Sequence, residues 1–225
     1  MAQFTRIEVA LKMAETGIVP VFFHKDIEIC KKVVKACYEG GIRVFEFTNR
    51  GDFAHEVFAK LIKWSIINTP EMILGIGSIV DPGTTSLYIQ LGANFVVSPI
   101  LNPEMAKVCN RRKILWSPGC GTLSELNYAE ELGAEVCKIF PGSSVGGPDF
   151  VKAIKGPCPW SSIMPTGGVS PDEENLSAWI KAGVTCVGMG SQLIGKNIIE
   201  NNSYAELTQT AKKALKLVKT LKKEK

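Results

Sequence analysis

Long apolar segments and the spacings of common metal sites are both missing from this sequence of 225 residues. No apolar run approaches the ~20 residues that a membrane-spanning helix requires, so we expect no membrane association. Only two histidines are present, His24 and His55, and they form neither an HxH nor an HExxH pattern. We therefore expect no catalytic metal ion.

Cysteine pairs of the CxxC type are also missing, although the chain has seven cysteines. Most of them lie in apolar segments, and an odd number of scattered cysteines is typical of buried free thiols in a reducing compartment. The amphipathic N-terminus lacks the continuous apolar core and the small-residue cleavage site of a signal peptide. We therefore expect a cytoplasmic location.

The net charge of +4 is distributed unevenly along the chain. The last fourteen residues carry seven lysines and one glutamate, whereas the preceding 211 residues carry a net charge of about −2. Lysines near the end of a helix interact favourably with the helix dipole, and no aromatic residue is interleaved with them. We expect a solvated helix end here and no nucleic-acid binding.

Short apolar runs alternate with segments of helical period from residue 18 onward. The pattern predicts eight strands, each followed by a helical segment, at 18–23, 42–47, 72–77, 94–98, 114–119, 135–140, 162–168 and 185–190. An additional helix precedes the first strand, and helical segments end the chain. With no linker between two units, we expect one domain over residues 1–225.

Repeated strand–helix alternation predicts a parallel sheet, and eight units in about 200 residues favour a closed (β/α)8 barrel, or TIM barrel. An open, doubly wound sheet is the alternative. It leaves the number of units unexplained, and no GxGxxG motif follows the first strand. In a barrel, the active site lies at the carboxyl ends of the strands, which directs attention to the residues found there.

Two ionisable residues lie in otherwise apolar strands near these ends. Lys138 lies between Cys137 and Ile139, and Glu46 shares one strand face with Thr48. Taken singly, the lysine suits an outward, solvated position and the glutamate a salt bridge with a neighbouring strand. Burying either charge unpaired would be unfavourable, whereas a shared polar pocket inside the barrel would compensate both.

A buried lysine beside a carboxylate suggests a specific chemistry. Desolvation would lower the pKa of Lys138 and leave part of it as the free amine, which attacks carbonyl carbons. Glu46 would transfer protons, and Arg50, in the loop after the same strand, would bind a carboxylate in a bidentate fork. These residues predict addition of the lysine to a 2-keto acid and carbon–carbon cleavage, with no cofactor other than the Schiff base on Lys138.

Glycine-rich segments close the seventh and eighth predicted strands. Gly167 and Gly168 follow Thr166, and Gly190 precedes Ser191. Glycine lets backbone amides approach an anion closely, and barrels frequently bind phosphate in these two loops. We therefore predict a phosphate site here, with a simple tight turn as the alternative for each Gly-Gly pair.

The chain resembles the family of 2-keto-3-deoxy-6-phosphogluconate (KDPG) aldolases, including the bifunctional members that act on 4-hydroxy-2-oxoglutarate (KHG). The resemblance extends from about residue 17 to residue 195. Its most specific segments are GIRVFEFTNR, GIGSIVDP, FVVSPILNP, EVCKIFPG, MPTGG and VGMGS.

The resemblance implies a role for individual residues. Lys138 corresponds to the Schiff-base lysine, Glu46 to the catalytic glutamate, and Arg50 to the arginine that binds the pyruvate carboxylate. Ser78 corresponds to a hydroxyl residue that helps to bind pyruvate. The implied substrate and phosphate contacts are Thr166, Gly167, Gly168, Gly190 and Ser191, and we add the strand-end residues Pro99 and Phe140. A cytoplasmic homotrimer acting on a 2-keto acid and a phosphorylated aldehyde is also implied.

Two departures from the family pattern leave the substrate open. Asn49 and Gly51 flank Arg50 where leucine and threonine are more common, and the loop after Lys138 contains PGSSVGG in place of a PAE-type run. The 6-phosphogalactonate epimer is thus an alternative substrate. Two alternative functions are also open. One is a phosphosugar isomerase or decarboxylase that uses Glu46 as a base, and the other is a non-catalytic phosphosugar-binding module.

Overall fold

The computed structural model describes residues 2–223, so residues 1, 224 and 225 of the predicted domain lie outside the described residues. The strands are β1 (Ile18–Phe22), β2 (Val44–Thr48), β3 (Ile73–Gly77), β4 (Phe95–Val97), β5 (Leu115–Ser117), β6 (Gly119–Cys120), β7 (Cys137–Ile139), β8 (Ile163–Pro165) and β9 (Val187–Met189). The helices are α1 (Arg6–Thr16), α2 (Ile27–Glu39), α3 (Ala54–Asn68), α4 (Pro82–Gln90), α5 (Pro103–Arg112), α6 (Leu123–Glu131), α7 (Gly147–Lys155), α8 (Glu173–Ala182), α9 (Lys196–Glu200) and α10 (Tyr204–Lys223).

The strands close into a parallel barrel. β5 and β6 are two halves of one barrel strand, interrupted at Pro118, which has no backbone N–H to donate. One sheet has the order β5-β4-β3-β2-β1-β9 and the other the order β6-β7-β8. The two sheets are continuous through Pro118 and meet again at a parallel bridge between Thr166 and Gly188. The predicted eight-stranded barrel is confirmed, and the open sheet is wrong.

Helix α1 covers the amino-terminal end of the barrel. Alternate residues of each strand face the barrel interior, where they form one apolar core. Val9 and Met13 of α1 pack into that interior core, and α1 contacts both β2 and β5. The other buried residues of the interior core lie in the strands or, for two of them, directly before β7 and β9: Val19, Val44, Ile73, Phe95, Val97, Leu115, Val136, Met164 and Cys186. The carboxyl-terminal end is therefore the open end of the barrel.

Most helices begin at a side chain that caps the first turn. Thr5 and Glu8 form a complete capping box at α1, and Asp81 caps α4. The sequence pattern at Thr122 and Glu125 is typical of a capping box, but the box is only half formed. Thr122 Oγ1 accepts from the Glu125 backbone N–H at 3.2 Å, but the Glu125 carboxylate accepts from the Gly121 N–H at 2.8 Å.

The lysine-rich helix α10 packs against α2 and α8. Lys212, Lys213, Lys216 and Lys219 are exposed, as predicted. Lys222 differs, because its Nζ donates to the backbone oxygens of residues 14 and 185 at 2.7 and 2.6 Å. The end of α10 is therefore bound to the barrel and is not simply solvated. Lys225 of the predicted helix end lies outside the described residues.

No helix among residues 2–223 is both long enough and apolar enough to span a membrane. All seven cysteines carry free thiols, and all except Cys158 are buried. Burial raises the pKa of Cys30, Cys109 and Cys186 to about 12, so these thiols stay protonated and unreactive.

Buried Asn94 ties the N-terminal segment to the barrel. Its Oδ1 accepts from the backbone N–H groups of Gln3 and Phe4 at 2.8 and 3.0 Å, and its Nδ2 donates to the Leu74 oxygen at 2.9 Å. We expect Asn94→Ala to lower the free energy of unfolding by about 1–3 kcal/mol in urea denaturation. The exposed Asn68→Ala is the control and should change it by less than about 0.5 kcal/mol. Equal effects of the two substitutions would contradict this role.

Candidate active site

Glu46 faces the barrel interior from the middle of β2. Its neighbours Phe45 and Phe47 pack in the core between strands and helices, whereas Val44 belongs to the interior core. Because side chains alternate along a strand, Glu46 and Thr48 share the inner face with Val44. Glu46 is 1% exposed, so its carboxylate is removed from bulk water.

Lys138 occupies the matching position on β7. Cys137 and Ile139 pack in the core between strands and helices, and Val136 belongs to the interior core. The Lys138 side chain therefore points inward, and the residue is only 5% exposed. The outward, solvated position that a single lysine usually takes is wrong for Lys138.

Glu46 and Lys138 lie in the same layer of the interior. Neighbouring strands of such a barrel are staggered by about one residue along its axis, so each layer takes its side chains from alternate strands. The register pairs Glu46 with Gly75 and Gly119 with Lys138. Followed around the barrel, this register places four residues in one layer: Glu46, Val97, Lys138 and Gly188.

One glycine in this layer and one beside it provide the space that the polar side chains occupy. A Cβ placed on Gly77 would lie 1.7 Å from Glu46 Oε1, and one on Gly188 would lie 2.2 Å from Thr166 Oγ1. The Glu46 carboxylate therefore lies over β3, and the Thr166 hydroxyl lies over β9. Any larger residue at Gly77 or Gly188 would displace one of these side chains.

Burial shifts both ionisable groups toward their neutral forms. It lowers the pKa of Lys138, an effect that the nearby Glu46 charge opposes and the Arg50 charge reinforces. Burial likewise raises the pKa of Glu46, against the opposing charges of Lys138 and Arg50. The amine is thereby made available as a nucleophile, and the carboxyl group can both donate and accept a proton.

Arg50 and Ser78 meet at the carboxyl ends of β2 and β3. Arg50 Nε donates to Ser78 Oγ at 3.4 Å, which joins two residues that are 28 positions apart in the chain. The backbone of Ser78 has a φ of 61°, in the left-handed region. Strained conformations of this kind are concentrated at functional sites.

A cavity of about 720 Å³ opens at the carboxyl ends of the strands. Lys138 Nζ lies 4.8 Å from the ring centroid of Phe140, which lines the cavity. Phe140 and Thr48, which also lines it, each lie two positions beyond Lys138 and Glu46, so the layer of Glu46 and Lys138 lies directly beneath the cavity. Seven of the predicted site residues line the cavity: Arg50, Phe140, Thr166, Gly167, Gly168, Gly190 and Ser191. A second cavity, of about 690 Å³, lies at the α1 end of the barrel and contains none of the predicted residues.

Four predicted residues do not line this cavity: Glu46 and Lys138 lie beneath it, and Ser78 and Pro99 lie beside it. Ser78 contacts Arg50, as described above. Pro99 follows β4, and its oxygen would lie 2.3 Å from a Cβ placed on Gly119, the residue paired with Lys138. All the predicted site residues thus surround the open end of the barrel. Among the described residues, no group of three or more His, Cys, Asp or Glu side chains is arranged to hold a metal ion.

Comparison with known proteins identifies this arrangement. The family model described as KDPG and KHG aldolase matches residues 8–210, nearly the whole chain. This chain belongs to that aldolase family. It is therefore a lyase, an enzyme that cleaves or forms a carbon–carbon bond.

Individual relatives agree with the family model. The KHG/KDPG aldolase of Escherichia coli K12 is 32% identical over 198 residues, which are 88% of this chain and 90% of the relative. The 2-dehydro-3-deoxy-phosphogluconate aldolase of Pseudoalteromonas atlantica is 34% identical over 200 residues, 88% of this chain and 89% of the relative. The KDPG aldolase of Legionella pneumophila, solved with pyruvate as a covalent carbinolamine, superposes with a TM-score of 0.81 at 28% identity, over 90% of this chain and 96% of that one.

Seven buried side-chain polar atoms in this aldolase have no hydrogen-bond partner within residues 2–223, and three of them face the barrel interior: Glu46 Oε2, Thr166 Oγ1 and Ser117 Oγ. Buried polar groups are usually hydrogen-bonded, so unpaired ones mark a place where a ligand or water binds. Ser117 was not among the predicted site residues. Its inward position follows from the alternation in β5, since Leu115 faces the interior and Trp116 faces the helices.

The cavity also contains residues that the sequence motifs did not single out as substrate contacts. Thr48 follows Glu46 on the same strand face, which the alternation already indicated. His24, Gln192 and Lys196 line the cavity near Ser191. His24 follows β1, whereas Gln192 and Lys196 both follow β9, and the parallel pairing of β1 with β9 brings the two segments together.

The pKa of Lys138 can be tested through Arg50. Because the Arg50 charge lowers the pKa of Lys138, Arg50→Met should raise it. We expect competitive acetylation, followed residue by residue with mass spectrometry, to label Lys138 at lower pH than exposed Lys25. In Arg50→Met the labelling of Lys138 should move to higher pH. Lys25→Met, which removes an exposed charge at the same end of the barrel, is the control. A Lys138 that titrates with the exposed lysines would contradict the described environment.

Proposed function

We propose that this aldolase cleaves KDPG, and also KHG, to pyruvate and an aldehyde through a Schiff base on Lys138. The aldehyde is glyceraldehyde 3-phosphate from KDPG and glyoxylate from KHG. The observation that carries the proposal is the buried amine of Lys138, which shares one interior layer with Glu46 directly beneath an open cavity.

In the first stage, the neutral amine of Lys138 adds to the C2 carbonyl of the keto acid. Glu46 returns a proton to the new hydroxyl group, the carbinolamine loses water, and a protonated imine forms. A carboxyl group whose pKa is raised by burial suits this task, because it both gives and takes protons near neutral pH.

In the second stage, the bond between C3 and C4 breaks. Glu46 removes the proton of the C4 hydroxyl, the aldehyde leaves, and the electron pair of the broken bond moves into the imine to give an enamine. A proton then adds at C3, and water hydrolyses the resulting imine to release pyruvate and the free amine of Lys138. Each proton that Glu46 takes up in one step is available for the next, so the cycle leaves the enzyme unchanged.

The surrounding residues hold the two ends of the substrate. Arg50, supported by Ser78, binds the pyruvate carboxylate in a charge-assisted pair. The backbone amides around Gly167, Gly168, Gly190 and Ser191 bind the phosphate of KDPG. Pro99, Phe140 and Thr166 contact the carbon chain between the two anionic groups, and the Thr166 hydroxyl is free to accept or donate a hydrogen bond to it.

We further propose that residues 1–225 form one domain of a cytoplasmic homotrimer. Exposed apolar side chains support the assembly, because Phe53, Val80 and Ile100 follow three neighbouring strands and are 67%, 48% and 46% exposed. Large apolar side chains exposed after neighbouring strands are compatible with an interaction surface at this end of the barrel.

Trapping with pyruvate and borohydride tests the role of Lys138. We expect a stable pyruvate adduct on Lys138 by mass spectrometry, and neither adduct nor aldol cleavage in Lys138→Arg. Glu46→Gln should lower kcat by about 10²–10⁴-fold and still form the adduct slowly. Glu200→Gln, an exposed carboxylate at the cavity rim, is the control and should retain activity. An adduct on another lysine would refute the mechanism, and activity in Lys138→Arg would favour an isomerase or decarboxylase that uses Glu46 as a base.

The glycine loops are tested by comparing a phosphorylated with an unphosphorylated substrate. A Cβ on Gly168, whose φ is +77°, would lie 2.4 Å from the Ser143 Cβ, so Gly168→Ala should distort the loop. We expect KM for KDPG to rise about tenfold, equivalent to ~1.4 kcal/mol, and KM for KHG to change much less. Gly156→Ala, with its nearest contact at 3.6 Å, is the control. Equal changes for both substrates would show that the loops do not bind the phosphate.

A further inference from the structure

Asn49 connects the loop of Arg50 to helix α4. It directly precedes Arg50, and its Oδ1 accepts a hydrogen bond from the Tyr88 hydroxyl at 2.8 Å. Its backbone N–H donates to the Gly77 oxygen at 2.9 Å, which extends the pairing of β2 with β3. Gly77, the residue before Ser78, thus holds the backbone of Asn49, and Tyr88 holds its side chain.

Tyr88 is a rigid donor for this contact. It is 1% exposed, and its ring packs edge-on against Phe58 of α3, with centroids 5.3 Å apart. Helical side chains lean toward the start of their helix, so the Tyr88 hydroxyl extends from α4 toward the carboxyl end of the barrel. Burial raises the pKa of Tyr88 to about 12, so the hydroxyl keeps its proton and donates throughout the neutral range.

Arg50, in contrast, has little support of its own. It is exposed, and its one side-chain hydrogen bond within residues 2–223 is the contact of 3.4 Å with Ser78 Oγ. That distance is at the long end for a hydrogen bond. The direction of the guanidinium therefore depends mainly on the backbone that carries it, and Asn49 is the neighbouring residue whose side chain is fixed to a buried group.

We propose that the hydrogen bond between Tyr88 and Asn49 positions Arg50 for binding the keto-acid carboxylate. This role rests on the proposed function, in which Arg50 binds that carboxylate. Tyr88 and Asn49 do not touch the substrate and are positioning residues. They act on carboxylate binding, since neither lies in the layer of Lys138 and Glu46 where bonds are made and broken.

A double-mutant cycle on pyruvate binding tests this role. The measured quantity is the pyruvate concentration that gives half-maximal trapping of Lys138 by borohydride. Tyr88→Phe keeps the ring packing and removes one hydrogen bond, so we expect this concentration to rise about 3- to 10-fold. In an Arg50→Met background, the same substitution should raise it by less than about twofold, because the group that it positions is absent.

Control variants separate positioning from general damage. Tyr128→Phe, on the exposed face of α6, should leave pyruvate binding unchanged. Asn49→Leu removes the acceptor from the other side and should reproduce the effect of Tyr88→Phe, which also covers the case in which Tyr88→Phe folds poorly. Maximal trapping at saturating pyruvate should be the same in Tyr88→Phe and in the unsubstituted protein.

The outcomes distinguish this role from the function on which it rests. The positioning role is overturned if Tyr88→Phe raises the half-maximal pyruvate concentration equally with Arg50 present and in Arg50→Met. It is also overturned if Tyr88→Phe causes no rise when Arg50 is present. Either result leaves the Schiff-base function intact. If the unsubstituted protein forms no pyruvate adduct on Lys138 at any concentration, the proposed function fails, and the role of Tyr88 and Asn49 fails with it.

Discussion

A buried amine and a buried carboxylate share one layer of a parallel barrel, and much of the surrounding structure compensates their burial. An unpaired charge in an apolar interior is strongly unfavourable, so Lys138 and Glu46 are each tolerated mainly because the other is present and because both shift toward neutral forms. In the proposed mechanism, the same shift produces the nucleophile and the proton carrier. The burial that would destabilise a lone lysine is then the property that the proposed reaction uses.

Closure of the barrel brings these two groups together. β2 and β7 are far apart in the chain and in the strand order, and only the stagger of a closed parallel barrel puts Glu46 and Lys138 at the same height. Gly77 and Gly188 leave room for the side chains of Glu46 and Thr166. Helix α1 fills the opposite end with the apolar side chains of Val9 and Met13, so the polar layer lies on the side of the open end and its cavity.

Patterns within single segments predicted the fold and most of the candidate site. The strand positions follow from apolar runs, and the inward direction of Glu46 follows from the apolar residues on either side of it. Features that depend on distant parts of the chain were missed. The hydrogen bond from Lys222 to α1 joins two residues that are 208 positions apart in the chain. The hydrogen bond between Tyr88 and Asn49 joins two that are 39 positions apart. No local pattern records such contacts, because they exist only once the barrel has closed.

The break of the fifth barrel strand at Pro118 has a different origin. Proline has no N–H for the sheet, yet its oxygen accepts from the Lys138 backbone N–H at 2.9 Å. The fifth barrel strand therefore lacks a donor at Pro118 but still pairs with β7 next to Lys138. The proline is visible in the sequence, but its pairing depends on register, which local patterns do not fix.

The most direct test is a crystal structure of the protein exposed to pyruvate. The account predicts continuous electron density from Lys138 Nζ to C2 of pyruvate, with the carboxylate against Arg50 and Ser78 and the Glu46 carboxyl group beside the new bond. Pyruvate bound without a bond to Lys138, or attached to a different lysine outside the interior layer, would contradict it.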